Sequence, residues 1–135
     1  MLSTLDADKL QLRDVMVSKE EIKTISTKNT IEENKKILQD SAHSRYPLIG
    51  SSLKEIHGIV YIASLARELY GVKDEAVDLQ EIAVPALKFK DTMSIGQAID
   101  TFQQEQQEIA FVVDETDTVV GIVTITDLLE QFVGE

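Results

Sequence analysis

The sequence has no cysteine, no tryptophan, only 2 prolines and only 6 glycines in 135 residues. Without cysteine there can be no disulfide, no thiolate nucleophile and no Cys-based zinc site. Basic residues are also scarce. Lys and Arg number 13 against 24 Asp and Glu, a formal net charge of −11 that repels a nucleic-acid backbone and an anionic lipid surface. No nucleic-acid partner is expected. No apolar run approaches the ~20 residues of a membrane-spanning helix, and Met1 to Gln11 lack the apolar core of a signal peptide, so a soluble cytoplasmic module is expected. Catalytic signatures are missing too: there is no Gly-x-Ser-x-Gly, no P-loop and no Gly-x-Gly-x-x-Gly. His43 and His57 fall in different elements without a His-x-x-x-His, so no metal site is assigned. The chain reads as non-enzymatic and free of any redox cofactor.

What remains is an ordinary globular composition, 43% hydrophobic and 27% charged, long enough for one core or two small half-domains. Leu2, Leu5 and Leu10 form a short, weakly helical lead-in. Ile22 to Ile25 has the apolar ends of a short strand, and Thr30 with Glu33 fits a capping box opening a helix of roughly ten residues. Arg45 to Ile49 is a second strand, in which Pro47 is tolerable at an edge or with its missing N–H turned away from the ladder. Ile56 to Tyr61 is a third strand, and Leu65, Ala66, Leu69 and Tyr70 mark one face of a second helix.

The order strand, helix, strand, strand, helix then returns. Leu12 to Val17 matches Leu79 to Val84, Ile31 matches Ile95, Tyr46 to Ile49 matches Ala110 to Val113, and Gly58-Ile59-Val60 matches Gly121-Ile122-Val123, at offsets of 67, 64, 64 and 63 residues. The chain is an internal duplication. In the second copy Ser94 and Gln97 repeat the capping box, and Ile95, Ala98, Ile99 and Phe102 supply a helical core stripe. Ile109 to Val113 and Val119 to Ile125 read as buried strands. The turn between them, with Asp114, Glu115 and Asp117, is a solvated turn lacking EF-hand spacing. The expected class is α/β (α+β), with two β-α-β-β-α motifs packed about a pseudo-two-fold axis. Residues 1–70 hold the lead-in and first motif, 71–78 a linker and 79–135 the second motif.

The stretch Gly121 to Asp127 concentrates the chemistry. An apolar strand running into Thr-x-x-Asp brings a hydroxyl, a carboxylate and helix N-terminal N–H groups together, which suits a phosphorylated ligand. The same residues also describe a plain helix start, with Thr124 as N-cap and an acidic first turn.

This architecture, closing on Gly-Ile-Val-Thr-Ile-Thr-Asp, resembles the tandem CBS-domain pair, or Bateman module, from about Leu12 to Val133. Asp14-Val15-Met16, His43-Ser44-Arg45-Tyr46-Pro47, Asp127-Leu128-Leu129-Glu130 and Val133-Gly134-Glu135 look like the pair in hemolysin-like and CorC/CNNM magnesium-and-cobalt transport-associated proteins. There the pair lies between a transmembrane domain and a small C-terminal domain, at the cytoplasmic face of the inner membrane. The resemblance implies an adenosine nucleotide (AMP, ADP or ATP, with or without magnesium) bound near Gly121, Thr124 and Asp127. The carboxylate would take the ribose hydroxyls, and Thr124, Thr126 and N–H groups the phosphate. It further implicates Ser18, Ile22 and Lys23, with His43, Arg45 and Pro47, facing Ile122, Thr124 and Asp127, and Arg45 as the cation for a phosphate. After Asp-Val-Met the family often has Pro-Arg, whereas this chain has Val17-Ser18-Lys19. The first copy departs further, with Tyr61 and Ser64 where the second has Thr124 and Asp127, so one working cleft and one degenerate one are expected. Partnership as a homodimer through these modules is implied as well. Alternatives are a ligand-free dimerisation scaffold and a direct sensor of divalent cations through acidic surface residues.

Overall fold

A computed structural model of the chain describes residues 9–41, 43–69 and 78–133. Most of the expected lead-in, Tyr70, the expected linker from Gly71 to Val77, and Gly134 and Glu135 lie outside these residues. In chain order the elements are α1 (Leu12–Val15), β1 (Val17–Ser18), a 3-10 turn (Lys19–Glu21), β2 (Ile25–Ser26), α2 (Ile31–Asp40), β3 (Arg45–Ile49), β4 (Ile56–Tyr61) and α3 (Ile62–Leu69). The second copy continues with α4 (Leu79–Ile82), β5 (Leu87–Lys90), α5 (Ile95–Glu105), β6 (Ile109–Val113), β7 (Val119–Thr124) and α6 (Ile125–Val133). The mixed α/β class and the repeated strand-helix-strand-strand-helix order are as expected. Two compact units result: Met1–Ile22 with Leu87–Glu135, and Lys23–Ala86.

In the unit Lys23–Ala86 the sheet order is β2-β3-β4, with β2 parallel to β3 and β3 antiparallel to β4. The helix α2 starts where Thr30 and Glu33 predict it, each side chain bonding the other's backbone N–H at 3.2 and 2.7 Å. Pro47 stands in the central strand rather than at an edge. Its partner Ile59 spends both backbone groups on Val84, at 2.9 and 2.8 Å, so Pro47 faces a rung where β4 asks for no N–H. On its other side β2 pairs only at Ile25↔Leu48 and Ser26↔Ile49. The next rung would need an N–H from Pro47 to Lys23, which proline cannot donate. The strand expected over Ile22 to Ile25 therefore begins only at Ile25. Ile25, Tyr46, Leu48, Val60 and Leu65 form the core of this unit. Leu65 is buried as expected, but Ala66 is exposed.

In the other unit the order is β1-β7-β6-β5. Here Phe111 occupies the place of Pro47, and β5 pairs with β6 over four rungs, Leu87↔Ala110 to Lys90↔Val113. The α5 stripe is as expected: Ile95, Ala98 and Phe102 are buried, with Ile99 packed beside them, and the Phe102 ring meets Phe89 at 4.9 Å. Burying a side chain of this size is worth about 1.5–3 kcal/mol. Leu12 joins this core at 0% exposure, so the short helix α1, from the start of the chain, completes the sheet-helix layer of the second copy. The matched stretch Leu79 to Val84 does the same in the first copy's unit, as α4 and the bridge Val84↔Ile59. The strand expected to reach Ile125 ends at Thr124, because Ile125 already opens α6.

Candidate functional site

At the end of β7, Thr124 Oγ1 accepts the N–H of Asp127 at 3.1 Å. Thr124 thus caps α6, and the capping reading of this stretch is realised. Capping does not consume the carboxylate. Asp127 and Thr126 are exposed, Thr124 is half-buried and Ile122 is buried in the strand behind them. The remaining donors are fewer than the sequence suggests. Ile125 N–H goes to Glu108 O at 2.9 Å and Asp127 N–H to Thr124, so among the described residues the Thr126 amide is the first-turn donor left for an anion. A carboxylate beside a single amide suits a hydroxyl donor such as a ribose diol better than a bare phosphate.

Ser18 and Ile122 come together through the β1·β7 ladder, Val17↔Ile122 and Ser18↔Gly121. The strands are antiparallel, so the turn Lys19–Glu21, and Ile22 after it, lie toward the start of β7, whereas Thr124 to Asp127 lie at its end. The candidate residues of this unit are strung along the strand rather than gathered at one point. From Gly121 to Thr124 the strip is about 10 Å long at ~3.3 Å per residue, commensurate with an extended ligand. A groove of about 660 Å³, lined by Arg13, Lys90, Asp91, Thr92, Asp114 and Glu115, lies at the opposite end of the same sheet and contains none of the expected residues.

Lys23, His43, Arg45 and Pro47 belong to the other unit. Arg45 and Pro47 lie two apart on β3, and His43 precedes them with its ring edge-on to Tyr46 at 5.7 Å. Lys23 is exposed just before β2, and Pro47 is buried. Arg45 pairs across the ladder with Tyr61 and lays its guanidinium over that ring at 5.6 Å. The first-copy turn repeats the backbone of the second, with Ile62 N–H donating to Ser44 O at 2.9 Å. Its side chains do not: a phenol held by a cation stands where the second copy has a capping hydroxyl, and Ser64 where it has a carboxylate.

Sequence reasoning missed the residues that seat β1. A Cβ on Gly121 would lie 2.5 Å from Met16 Sδ and 2.6 Å from Val17 O, and one on Gly58 would lie 2.4 Å from Val84 O. The two glycines of the repeated Gly-Ile-Val therefore admit the lead-in backbone of each unit. The matching stretches Leu12 to Val17 and Leu79 to Val84 were the available signal.

Against known proteins, residues 79–134 match the family model of the CBS domain. The magnesium and cobalt efflux protein CorC of Pasteurella multocida is 33% identical over 131 residues, 97% of this chain and 43% of that protein. The chain spans less than half the length of the curated relatives it matches. Among solved structures, a CBS-domain pair with bound AMP from Klebsiella pneumoniae superposes with a TM-score of 0.83 at 25% identity, covering 93% of this chain and 99% of that one. The CBS domain of a bacterial CNNM/CorC family Mg2+ transporter in complex with ATP gives a TM-score of 0.87 at 24% identity over 97% of this chain and 92% of that one, a likeness of fold.

Proposed function

We propose that this chain, whose residues 79–134 match the CBS domain and whose curated relatives include CorC proteins, is a regulatory module of the CorC/CNNM kind that binds an adenosine nucleotide, AMP, ADP or ATP, and catalyses nothing itself. The observation that carries the reading is the Thr124–Asp127 turn. Its cap is complete without the carboxylate, and the carboxylate is displayed to solvent beside one unused amide. Asp127 takes the ribose hydroxyls, and Thr126 with its amide takes a phosphate oxygen. With so few donors and a net charge of −11, a longer phosphate chain needs a counter-cation, and magnesium is the proposed one. Ser18, Ile22 and Ile122 are proposed contacts along β7. Lys23, His43, Arg45 and Pro47 are proposed as the remaining contacts on the strength of the family resemblance. The Tyr61–Ser64 turn is proposed not to bind.

The parent chain is proposed to be a hemolysin-like or magnesium/cobalt transport-associated membrane protein, with this module at the cytoplasmic face and paired as a homodimer. No observation favours direct cation sensing: among the described residues there is no group of three or more His, Cys, Asp or Glu placed to hold a metal ion.

Thermal unfolding with AMP, ADP and ATP, with and without magnesium, tests the proposal. A ligand at 100 times its dissociation constant stabilises by about 2.7 kcal/mol. In Asp127→Ala the shift should vanish, while ligand-free stability changes by less than about 1 kcal/mol, since the exposed carboxylate contributes only through the helix dipole. No response to any nucleotide, or an undiminished one in the variant, refutes this site.

A further inference from the structure

We infer that the segment Leu10 to Ser18 is the positioning strap of the Thr124–Asp127 turn, so that docking of this segment and occupancy of the turn are one coupled equilibrium. The inference rests on the nucleotide-binding reading for its ligand and on the fold for its mechanics. The segment is remote in sequence from the strand it serves, yet it is built into that unit at three levels. Leu12 is fully buried among Phe89, Ile95, Phe102 and Leu128, the last of these on the very helix that Thr124 caps. The backbone of the segment is tied down by Leu12 N–H to Met93 O at 2.9 Å, Arg13 N–H to Asp91 O at 3.0 Å and Ile95 N–H to Leu10 O at 3.1 Å. Its strand β1 then closes the sheet along β7 at Gly121 and Ile122, immediately before the turn.

The contact at Gly121 leaves no slack. Any Cβ there meets the carbonyl oxygen of Val17, a backbone atom that cannot swing aside, as well as the Met16 thioether. Without the strap, β7 becomes an edge strand and the buried cluster that holds Leu128 of α6 loses Leu12. The turn would then no longer be held to one geometry, and a ligand that needs Asp127 and the Thr126 amide together would bind the strapped state better. By reciprocity, that ligand must tighten the strap by the same factor.

Residue-resolved hydrogen exchange on the whole chain tests this. Without ligand, the amides of Leu12, Arg13 and Met16 should exchange through the same opening as those of β7 and α6. A separate, easier opening of Leu10 to Ser18 with β7 still protected overturns the inference whether or not any nucleotide binds. With AMP at 100 times its dissociation constant, these amides should slow by about 100-fold together with Thr124 to Leu128. Slowing confined to Thr124 to Leu128 overturns the strap while sparing the nucleotide reading, and slowing nowhere refutes the nucleotide reading while the ligand-free result still decides the strap. Gly121→Ala should weaken AMP binding by about tenfold or more at a temperature where the chain is folded. Leu65→Ala, which loosens the core of the other unit and touches no part of the strap's cluster, should lower the unfolding temperature and leave the AMP affinity unchanged. Equal affinity losses in both variants reduce Gly121 to a merely structural role and overturn the inference.

Discussion

Asn34 is 4% exposed on α2, a position where the repeat places Ala98 in the second copy, and its amide is committed entirely to the end of β2. Oδ1 accepts from Ser26 N–H at 3.2 Å and from Asn29 Nδ2 at 3.0 Å, while Nδ2 donates to Ser26 O at 3.0 Å. The parallel pairing of β2 with β3 runs through the groups on either side of Ser26, as in Thr27 N–H to Ile49 O at 3.0 Å, so Ser26 presents its own N–H and C=O outward. The Asn34 amide stands in for the neighbouring strand. In Asn34→Ala, Ser26 O keeps the Asn29 N–H at 3.2 Å, but Ser26 N–H, in a residue only 9% exposed, keeps nothing. A stranded buried donor costs about 1–3 kcal/mol, and the other two bonds are worth about 0.5–1.5 kcal/mol each. Alanine returns about 0.5 kcal/mol of helix propensity. The expected net loss is about 1.5–5.5 kcal/mol, a fall of about 5–20 °C in unfolding temperature, read by urea and thermal unfolding followed by circular dichroism. Asn34→Leu, which fills the volume without bonding, should do no better. A loss below about 0.5 kcal/mol in Asn34→Ala would refute the claim that this amide anchors β2.

Two further outcomes follow from the backbone and charge. Gln106 caps α5 in the left-handed region, at φ 55 and ψ 41, where a side chain costs about 1 kcal/mol and glycine nothing. Gln106→Gly should therefore raise the unfolding temperature by about 4 °C, and a decrease would show that the glutamine side chain contributes more than its strain. In the β6–β7 turn the Thr116 hydroxyl first, then the Thr118 and Thr116 amides and Lys90, hold the Asp114 carboxyl below its ordinary value of 3.8. A carboxyl lowered in the folded state stabilises fully above the ordinary value and loses that contribution as pH falls below it. The gap in unfolding temperature between the native chain and Asp114→Ala should be constant near neutrality and narrow below about pH 4. A gap independent of pH would refute the assignment.

The helix starts were legible because capping is local chemistry. Thr30 with Glu33 and Ser94 with Gln97 place a side-chain oxygen three residues from the amide it satisfies, a distance the chain fixes before it folds. The strands Arg45 to Ile49, Ile56 to Tyr61 and Ile109 to Val113 were legible from apolar density between turn residues. The reach of β2 was not, because it depends on a missing N–H in Pro47, whose place in the ladder is set by pairing with strands far along the chain. The candidate turn divides in the same way. That Thr124 and Asp127 share a helix start was written in their spacing. That Glu108 takes the Ile125 amide, and so thins out the phosphate donors, was not.

By itself the sequence determined the duplication, the order of elements in each copy, the capped helix starts and the asymmetry between Thr124–Asp127 and Tyr61–Ser64, all of which rest on contacts between near neighbours or on identity of residues. Only the tertiary structure decided that Leu12 and β1 complete the sheet of the second copy and that Val84 bridges to the first. It also showed that the glycines of the repeated Gly-Ile-Val exist to admit those segments. The physical reason is that an open strand edge accepts any backbone of suitable shape. Which segment arrives there is settled by packing between distant stretches, for which the local pattern carries no signal.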